Sequence, residues 1–410
     1  MSREVPKGWS ESQIDAVADI NPDSLRSNTS ADYRLKYIDV ATVDGPSTML
    51  EPRSMNFGDA PSRARKRVKR GDILVSTVRP YLRSFCQVLS SEPDLVASTA
   101  FAVLRPKPPV DGDFLYQHVL WERFVEHLTP RMKGSNYPAV TAGDVGAYPF
   151  LLPPLHEQRR IAEILSSVDD AIAATRVVIE QTRKVKQGVL ERLLTKGIGH
   201  TRFKQTEVGE IPEGWEIKPV EDLCVLSNGN GFRPPDWSDT GLPIIRIQNL
   251  NGGENFNYFN GKPLDKWLIH PGDLLFAWAG VRGVSFGPTV WPGPLGVLNQ
   301  HIFKISCREN VDKLWLFHTM KLITSRIEAK AHGFKDSLLH VQKKEITGQL
   351  VAVPPFSEQV KISVRATEVQ AAEDAHVSSL KGLLSVKSAL MSDLLTGRKR
   401  VTGTMPMAAE

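Results

Sequence analysis

Residues 152–161, LPPLHEQRRI, return 201 positions later as residues 353–362, VPPFSEQVKI. The same step carries Gly71-Asp72 onto Gly272-Asp273, and Gly8-Trp9 returns with a five-residue slip as Gly214-Trp215. A repeat of this length is far longer than the unit of a solenoid protein. The chain therefore contains two copies of one domain, and such a pair can present two similar binding faces to a two-sided target.

Length and composition agree with this division. The chain has 410 residues, of which 41% are hydrophobic and 24% charged, which is typical of a globular protein rather than of a disordered or membrane-spanning one. The three cysteines form no CxxC pair, so no disulfide framework or zinc site is indicated. The first residues lack the apolar core of a signal peptide, and we expect a cytoplasmic protein.

Each copy begins with a mixed region that predicts an α/β globule. The predicted strands are 72–76 and 100–104 in the first copy and 273–276 and 301–305 in the second, and the predicted helices are 114–127 and 314–330. Loops rich in Gly, Pro and Asn are expected at 228–235 and 249–260.

After each Pro-Pro pair the hydrophobic period changes to that of a long helix. In the first copy a mostly apolar set of residues follows at steps of four and three, as in the seam of a coiled coil: Ile161, Leu165, Val168, Ile172, Thr175, Ile179, Thr182, Lys186, Val189 and Leu193. A helix over 155–196 would be about 60 Å long, with Gly197 as its stop. Its counterpart over 356–397 has a less apolar seam, because Glu373 and His376 stand where the first has Ile172 and Thr175.

These patterns predict an α+β protein in which two similar α/β domains are separated by two long antiparallel coiled-coil helices. A pseudo-twofold axis would relate the halves and give a nearly circular arrangement. The expected boundaries are a first domain at 1–154, a central helix at 155–197, a second domain at 198–354 beginning with a linker at 198–212, a C-terminal helix at 355–397 and a disordered tail at 398–410.

Positive charge is concentrated in one segment of the first copy. Between Arg53 and Arg83 nine basic residues stand against Asp59 and Asp72, a local charge of +7, although the whole chain carries only +5. An isolated charge run is often only a solvated loop. In a duplicated chain with a stiff spacer, it also suits contact with phosphates.

Three segments together resemble the specificity subunit of type I restriction-modification systems. They are LPPLHEQRRI at 152–161, its repeat at 353–362, and the junction FKQTEVGEIPEGW at 203–215. The resemblance covers roughly residues 5–397, and it depends on both helix starts and the junction occurring in the required order.

The resemblance implies a DNA-reading subunit without catalysis of its own. Each α/β domain would be a target recognition domain that reads one half of a split, asymmetric DNA site. The helices would set the spacing and dock two methyltransferase subunits, which modify adenine with S-adenosylmethionine, and a restriction subunit that uses ATP and Mg could join. No cofactor is expected in this chain itself.

Candidate DNA-binding residues are those whose side chains suit phosphates or base edges. In the first domain they are Arg63, Arg65, Lys66, Arg67, Lys69, Arg70, Arg79, Arg83, Lys133, Ser135, Asn136 and Tyr137. In the second they are Asn230, Phe232, Arg233, Arg246, Gln248, Asn249, Arg282, Asn299, Gln300 and Lys335.

These candidates have ordinary structural alternatives. Arg79 and Arg282 follow equivalent strands, which favours a shared loop, but a surface arginine that caps a loop fits equally. Turn formation would explain the Asn and Gln residues. Lys133 and Lys335 lie in equivalent loops before the Pro-Pro pairs and suit phosphate contact.

Most seam residues of the helices are expected to be core, so partner docking would use the outward faces. The candidates are His156, Glu157, Gln158, Arg159, Ser357, Glu358, Gln359 and Lys361. Glu157 and Glu358 would also suit the first turn of a helix as ordinary acidic residues.

Two other functions remain as alternatives. A pure coiled-coil scaffold explains the helices but gives the globules no role. A self-contained DNA-modifying enzyme lacks its motifs, because valine precedes Pro354-Pro355-Phe356 where an amino-methyltransferase needs Asn or Asp, and no phosphate loop or metal-ligand spacing occurs.

Overall fold

The computed structural model of the chain describes residues 5–45, 49–330 and 338–401. The chain divides into two compact units: the first unit is Met1–Val177 with Ser378–Glu410, and the second unit is Val178–Val377. Each long helix is therefore shared between the units, whereas the sequence led us to place boundaries at the helix ends.

The first unit contains ten strands and the start of a long helix among its described residues. Its strands are Ser10–Gln13, Ala18–Ile20, Arg34–Ile38, Arg53–Asn56, Ala64–Arg67, Ile73–Ser76, Phe85–Gln87, Leu95–Ser98, Phe101–Pro106 and Pro149–Leu152. Its α-helices are Ile14–Val17, Gly112–Leu120, Glu122–Leu128, Ala142–Gly146 and the first half of Leu155–Lys196, which we call the first long helix.

The second unit repeats this plan with a more elaborate loop region. Its strands are Phe203–Thr206, Gly209–Pro212, Glu216–Pro219, Cys224–Asn228, Leu242–Ile245, Tyr258–Phe259, Leu268–Ile269, Leu274–Ala277, Ala279–Val281, Gly287–Val290, Gly296–Leu298, Ile302–Cys307, Leu338–His340 and Leu350–Val353. Its α-helices are Ile247–Leu250, Lys313–Lys330, Lys343–Thr347 and the first half of Phe356–Leu394, the second long helix.

The sheets confirm that the duplication extends to the register of the strands. In each unit an antiparallel four-stranded sheet has Ile73–Ser76 or its counterpart Leu274–Ala277 as an inner strand. Ile73 pairs with Leu104 in the first unit, and Leu274 pairs with Ile305, 201 positions later, in the second. A second four-stranded sheet in each unit contains one parallel pair.

The seam residues of the long helices are buried or half-buried, as their period predicts. Ile161 and Leu165 join the core of the first unit, where Leu394 from the second long helix packs with them. Leu194 and Ile362 pack in the same way in the second unit. Because the start of one helix meets the end of the other within each unit, the two helices run antiparallel there, as expected.

A lysine joins the two helices in each unit. Lys387 forms an ion pair with Asp169 in the first unit. In the second, Lys186 donates to Gln370 at 3.0 Å and pairs with the buried Glu373. The two lysines are related by the step of 201, and so are Asp169 and Gln370. The polar crosslink therefore occurs in both copies, although its carboxylate lies three residues, about one helical turn, further along in the second copy.

Two expectations differ from the structure. The helix predicted over 114–127 is broken at Trp121, whose ψ of 142° is extended, because this buried residue turns the chain between two short helices. The tail expected to be disordered begins as part of the first unit, since Arg400 donates to Glu157 at 2.9 Å. Residues 402–410 lie outside the described residues.

Within the described ranges, no helix has both the length and the apolar character needed to cross a bilayer.

Candidate nucleic-acid interface

The Glu that occurs at both helix starts binds the Trp of the Gly-Trp pair. Trp9 donates its indole N–H to Glu157 at 3.2 Å, and Trp215 donates to Glu358 at 3.0 Å. Glu157 also accepts from Arg400, which lowers the pKa of its carboxyl group, and Glu358 accepts from the Ile198 backbone at 3.0 Å. Each carboxylate thus binds the start of its domain to the chain that follows the end of the other helix.

The Gln that follows each of these Glu residues joins the helix start to its domain through two hydrogen bonds. Gln158 donates to the Pro153 carbonyl at 2.9 Å and accepts from the Asp111 backbone at 2.8 Å, next to the helix Gly112–Leu120. Gln359 repeats both bonds with Pro354 and Asp312, each at 2.9 Å. Within each unit, the same two hydrogen bonds therefore join the helix start to its own domain.

Four of the eight residues predicted to form an outward docking surface bind their own domain instead. Glu157, Gln158 and Gln359 are almost fully buried, and Glu358 is nearly so, because they bind their own domain. The exposed residues of that prediction are His156, Arg159, Ser357 and Lys361.

In the first unit, two loops form an exposed platform beyond the inner strand Ile73–Ser76. The loop at 77–84 pairs with the hairpin at 133–139, where the Arg79 backbone donates to Pro138 at 2.8 Å and Lys133 pairs with Ala139. The Arg79 guanidinium lies 4.7 Å from the centre of the Tyr137 ring and donates to the Asn136 carbonyl at 2.9 Å. We call residues 77–84 and 133–139 the first loop pair.

The first loop pair brings together residues that were predicted separately. Arg79 joins the predicted Lys133, Ser135, Asn136 and Tyr137 at one surface, and Tyr137 is 71% exposed. A stacked arginine and tyrosine at a protruding loop suit contact with phosphates and bases. The φ of Arg79, +48°, places it in the left-handed region, where a non-glycine residue is held by its surroundings.

The basic run at 63–70 lies beside this platform. Thr99 donates to the Arg63 carbonyl at 2.8 Å, and the next residue, Ala100, accepts from the Thr77 backbone at 2.8 Å, so the end of the run borders the loop that carries Arg79. Arg63, Arg67, Lys69 and Arg70 are exposed, as their predicted role requires. Arg65 lies over the Phe57 ring at 4.6 Å and is half-buried.

Two basic candidates of the first unit point into the protein. Lys66 donates to Asn21 at 2.7 Å and to the Phe101 carbonyl, and burial lowers its pKa from 10.5 to about 8. Arg83 donates to the Leu120 carbonyl and lies 3.8 Å from Glu122. The charged groups of these two residues are held by internal partners, so in this conformation they are less available to DNA than the exposed arginines of the run.

In the second unit, the equivalent place is occupied by an aromatic cluster that the sequence did not suggest. Trp278 stands 201 positions after Thr77, its indole donates to the Gln300 carbonyl at 3.2 Å, and its ring lies 5.3 Å from His301 and 4.6 Å from His340. The strand Ala279–Val281 pairs with Leu338–His340 as Arg79 does with Pro138. The repeat offered a signal for this residue, because Trp278 stands 201 positions after Thr77.

Beside this cluster the structure gathers three predicted residues. Arg246, Gln248 and Asn299 line a cavity of about 140 Å³ with His301. Arg246 also donates to Asn257 at 2.8 Å and lies 4.6 Å from the Trp237 ring. Gln300 is exposed next to them, so a polar surface with stacked rings is available here.

Other candidates of the second unit have internal roles. Phe232 is buried against Phe259, with ring centres 4.9 Å apart, and Asn249 is buried and donates to the Gly253 and Asn255 carbonyls. One side chain is part of the core and the other holds a turn, so neither is presented at the surface in this conformation. The Asn230 backbone donates to Leu298 at 2.8 Å, while Arg233 and Arg282 are exposed. Lys335 lies outside the described residues.

No group of three or more His, Cys, Asp or Glu side chains in the described part of the chain is placed to hold a metal ion.

Comparison with known proteins identifies the family. The sequence profile of the type I restriction modification DNA specificity domain matches residues 6–182 and 212–371, which is most of the chain. The chain belongs to this family. As a type I specificity subunit it is a DNA-recognition component that binds DNA and assembles with other subunits, and it is not the catalytic one.

This specificity subunit is similar to two from Methanocaldococcus jannaschii. It is 24% identical over 333 residues to the type I restriction enzyme MjaVIII specificity subunit. The aligned region covers 77% of this chain and 76% of the MjaVIII subunit. It is 27% identical over 307 residues to the putative MjaX specificity subunit, with 70% and 67% covered.

The fold of the specificity subunit has a solved counterpart. A chain from a structure that describes complex assembly and conformational transition of the type I R-M system covers 97% of this chain with a TM-score of 0.64 and 21% identity, and all of that chain is matched. The likeness supports the fold prediction, including two domains with long helices.

Proposed function

We propose that this specificity subunit reads a split, asymmetric DNA site, one half with the first loop pair and its basic border, the other with the surface around Trp278 and Arg246. One observation carries the proposal. The framework contacts of Trp, Glu and Gln are the same in both units, whereas the exposed loops at equivalent places differ in kind. A repeated frame with unlike loops suits two readers of different sequences.

The chemistry of the two surfaces supports different readouts. Arg79 and the exposed arginines of the run at 63–70 offer forked donors for phosphates and guanines. Gln248, Asn299 and Gln300 offer both donors and acceptors, which suits adenine edges. Trp278 and the histidines beside it offer apolar rings for the thymine methyl group or the sugar.

We propose further that the long helices set the length of the unread gap and dock two methyltransferase subunits. The exposed His156, Arg159, Ser357 and Lys361 lie at the helix starts where such partners would bind. Those partners would methylate adenine with S-adenosylmethionine, and a restriction subunit would use ATP and Mg. The complex would act in the cytoplasm, where the DNA is.

Mapping methylated adenines in the DNA of cells that carry this chain and its methyltransferase tests the proposal. We expect a motif of two short sequences separated by a fixed number of unread bases. A single uninterrupted motif would overturn it.

The spacing role has its own test. Inserting four residues near Thr175 and four at the matching place near His376 should lengthen the helix pair by about 6 Å, close to two base pairs. The two half-sequences should stay the same while the gap grows. An unchanged gap would reject this role of the helices. It would not bear on the separate proposal that each domain reads its own half of the site.

A further inference from the structure

The loop that follows the inner strand of each unit holds an exposed aliphatic side chain at its tip. Leu82 in the first unit is 58% exposed, and Val284 in the second is 68% exposed. Single apolar residues on a protein surface are common and need no special explanation. These two differ from such residues because they occupy the same place in the two copies, although the sequence pattern predicted neither as a site residue.

The pairing of the strands establishes that the two places are equivalent. Paired strands close the first loop around residues 76–84 and the second around residues 277–287, so the second loop is two residues longer. Val284 stands 202 positions after Leu82, while the step between the copies is 201 before the loop and 203 after it. One added residue therefore lies on each side of the tip, and an aliphatic residue remains at the tip itself.

Hydrogen bonds and backbone conformation fix the first tip. The Leu82 N–H donates to the Arg79 carbonyl at 2.9 Å, and the Arg83 N–H donates to the Pro80 carbonyl at 2.9 Å. Arg79 and Arg83 both adopt the left-handed conformation, with φ of +48° and +57°. Such a conformation costs free energy for a residue other than glycine and persists only where the surrounding structure imposes it. The exposure of Leu82 is thus a property of a defined loop.

A different set of contacts fixes the second tip. The Val284 N–H donates to the Val281 carbonyl at 3.1 Å, and the Val281 N–H donates to the Ser285 hydroxyl at 2.8 Å. The Gly283 N–H donates to the Glu328 carboxylate at 3.0 Å, which ties the tip to a neighbouring helix. Two unlike sets of contacts therefore expose a branched aliphatic side chain at the same place.

Both tips belong to the surfaces that we propose read DNA, and the present inference depends on that proposed function. Leu82 lies in the first loop pair with Arg79 and the exposed Tyr137, and Val284 lies in the loop that begins with Trp278. The polar groups of these surfaces suit hydrogen bonds to base edges. An aliphatic side chain suits instead the 5-methyl group of thymine, which lies in the major groove and is recognised by apolar contact.

We propose that Leu82 and Val284 determine specificity for thymine through its 5-methyl group, one residue in each half of the recognised site. The proposed methylation of adenine requires an adenine in each half, so each half also contains at least one thymine on the opposite strand. Burial of one methyl group against an aliphatic side chain changes the affinity roughly fourfold.

The test replaces thymine by uracil, which lacks only the 5-methyl group, at one position at a time in duplexes that carry the mapped motif. Competition binding by the assembled complex at about 150 mM salt measures each affinity. Leu82→Ala and Val284→Ala shorten the two tips. Their matched controls are Leu89→Ala, 66% exposed beyond the other end of the first hairpin, and Val225→Ala, 47% exposed in the second unit.

We expect uracil at one or more positions of each half to weaken binding by the parent complex roughly threefold to fivefold. Leu82→Ala should abolish this loss in one half only and Val284→Ala in the other half, because each variant removes one partner of the contact. The two control variants should keep both losses. All four variants should melt close to the parent temperature, since their side chains are exposed.

The inference is overturned if uracil leaves the affinity of the parent complex unchanged, or if the loss persists in either tip variant. Equal weakening on thymine and uracil duplexes in the tip variants would also overturn it and would indicate an apolar wedge between base steps. Arg79→Ala in the same assay separates this inference from the proposed function. If Arg79→Ala weakens binding while uracil has no effect, only the thymine contact fails; if neither change has an effect, the proposed reading surface fails too.

Discussion

The indole N–H of Trp215 donates a 3.0 Å hydrogen bond to the carboxylate of Glu358, and Trp9 makes the same bond with Glu157. Among the described residues, every hydrogen-bond partner of these two carboxylates is a donor, from an indole, a guanidinium, a backbone amide or a histidine ring. The two acids therefore act as buried acceptors that join three segments of chain in each unit.

We predict that Glu157→Gln and Glu358→Gln each lower the free energy of unfolding by about 2 kcal/mol. An amide keeps one acceptor but turns its NH₂ group toward other donors, so at least one hydrogen bond is lost and the charge is removed. The change would be measured as a shift of the urea midpoint at constant m-value.

Glu163→Gln on the exposed face of the same helix is the matched control for this prediction. Its side chain is 66% exposed beside Arg160, and we expect a change within about 0.5 kcal/mol. Equal effects for the buried and the exposed glutamates would show that the Trp–Glu contacts do not hold the domains.

We predict that stability declines as the pH falls from about 6.5 toward 4. Burial lowers the pKa of His118 from 6.5 to about 3 and that of His318 to about 4. Between these values the unfolded chain takes up protons that the folded chain does not, so acid favours unfolding in this window and the loss is complete below the folded values. Each histidine contributes up to about 1.4 kcal/mol per pH unit.

His118→Leu should flatten this dependence, as measured by unfolding free energies between about pH 7.5 and pH 4.5. His156→Asn, on the exposed face of the first long helix, should leave the slope as it is. If the leucine variant kept the full slope, the burial of His118 would not be its cause.

The polar crosslinks between the helices should tolerate joint replacement better than single replacement. Glu373→Leu leaves the amine of Lys186 without its carboxylate and should cost about 1–3 kcal/mol, whereas adding Lys186→Leu should recover most of the loss. A double-mutant cycle measures this coupling.

The Asp169–Lys387 pair in the first unit serves as the matched cycle. We expect coupling of the same sign in both units. Additive effects in either unit would mean that the ion pair there contributes nothing to stability.

At the first loop pair, we predict that Arg79→Ala weakens binding of the cognate DNA by the assembled complex by about tenfold or more. The variant removes both the stacked guanidinium and the support of Tyr137. Competition binding at fixed salt would measure the change.

Arg83→Ala, four residues further on, is the control within the same loop. Its guanidinium is held by the Leu120 carbonyl, so the variant should lower stability and leave DNA affinity within about twofold of the parent. The reverse result, with Arg83 needed for DNA and Arg79 dispensable, would contradict this assignment of the surface.

The sequence predicted the parts of the fold that depend on period and repetition. Short continuous apolar runs predicted strands at 72–76 and 273–276, and the strands Ile73–Ser76 and Leu274–Ala277 are buried along their whole length. Steps of four and three predicted the seam from Ile161 to Leu193, because burial of one helix face imposes that period. The break at Trp121 was missed, since no Gly or Pro marks it and tertiary packing decides it.

The site was predicted less completely because residue type does not reveal the direction of a side chain. Lys66 and Arg67 are neighbours in one strand, so one side chain points inward and the other outward. Glu157 and Glu358 suited exposed first-turn acids by position, and only the fold brings Trp9 and Trp215 onto them. Trp278 went unrecognised because the first copy has Thr77 at its place.

The most direct measurement is to exchange residues 216–353 for the matching block of a relative and to map methylated adenines in cells that carry the hybrid chain. Two separate readers predict that one half of the recognised sequence changes, while the other half and the gap stay as they were. A hybrid that alters both halves, or neither, would contradict two independent readers on one repeated frame.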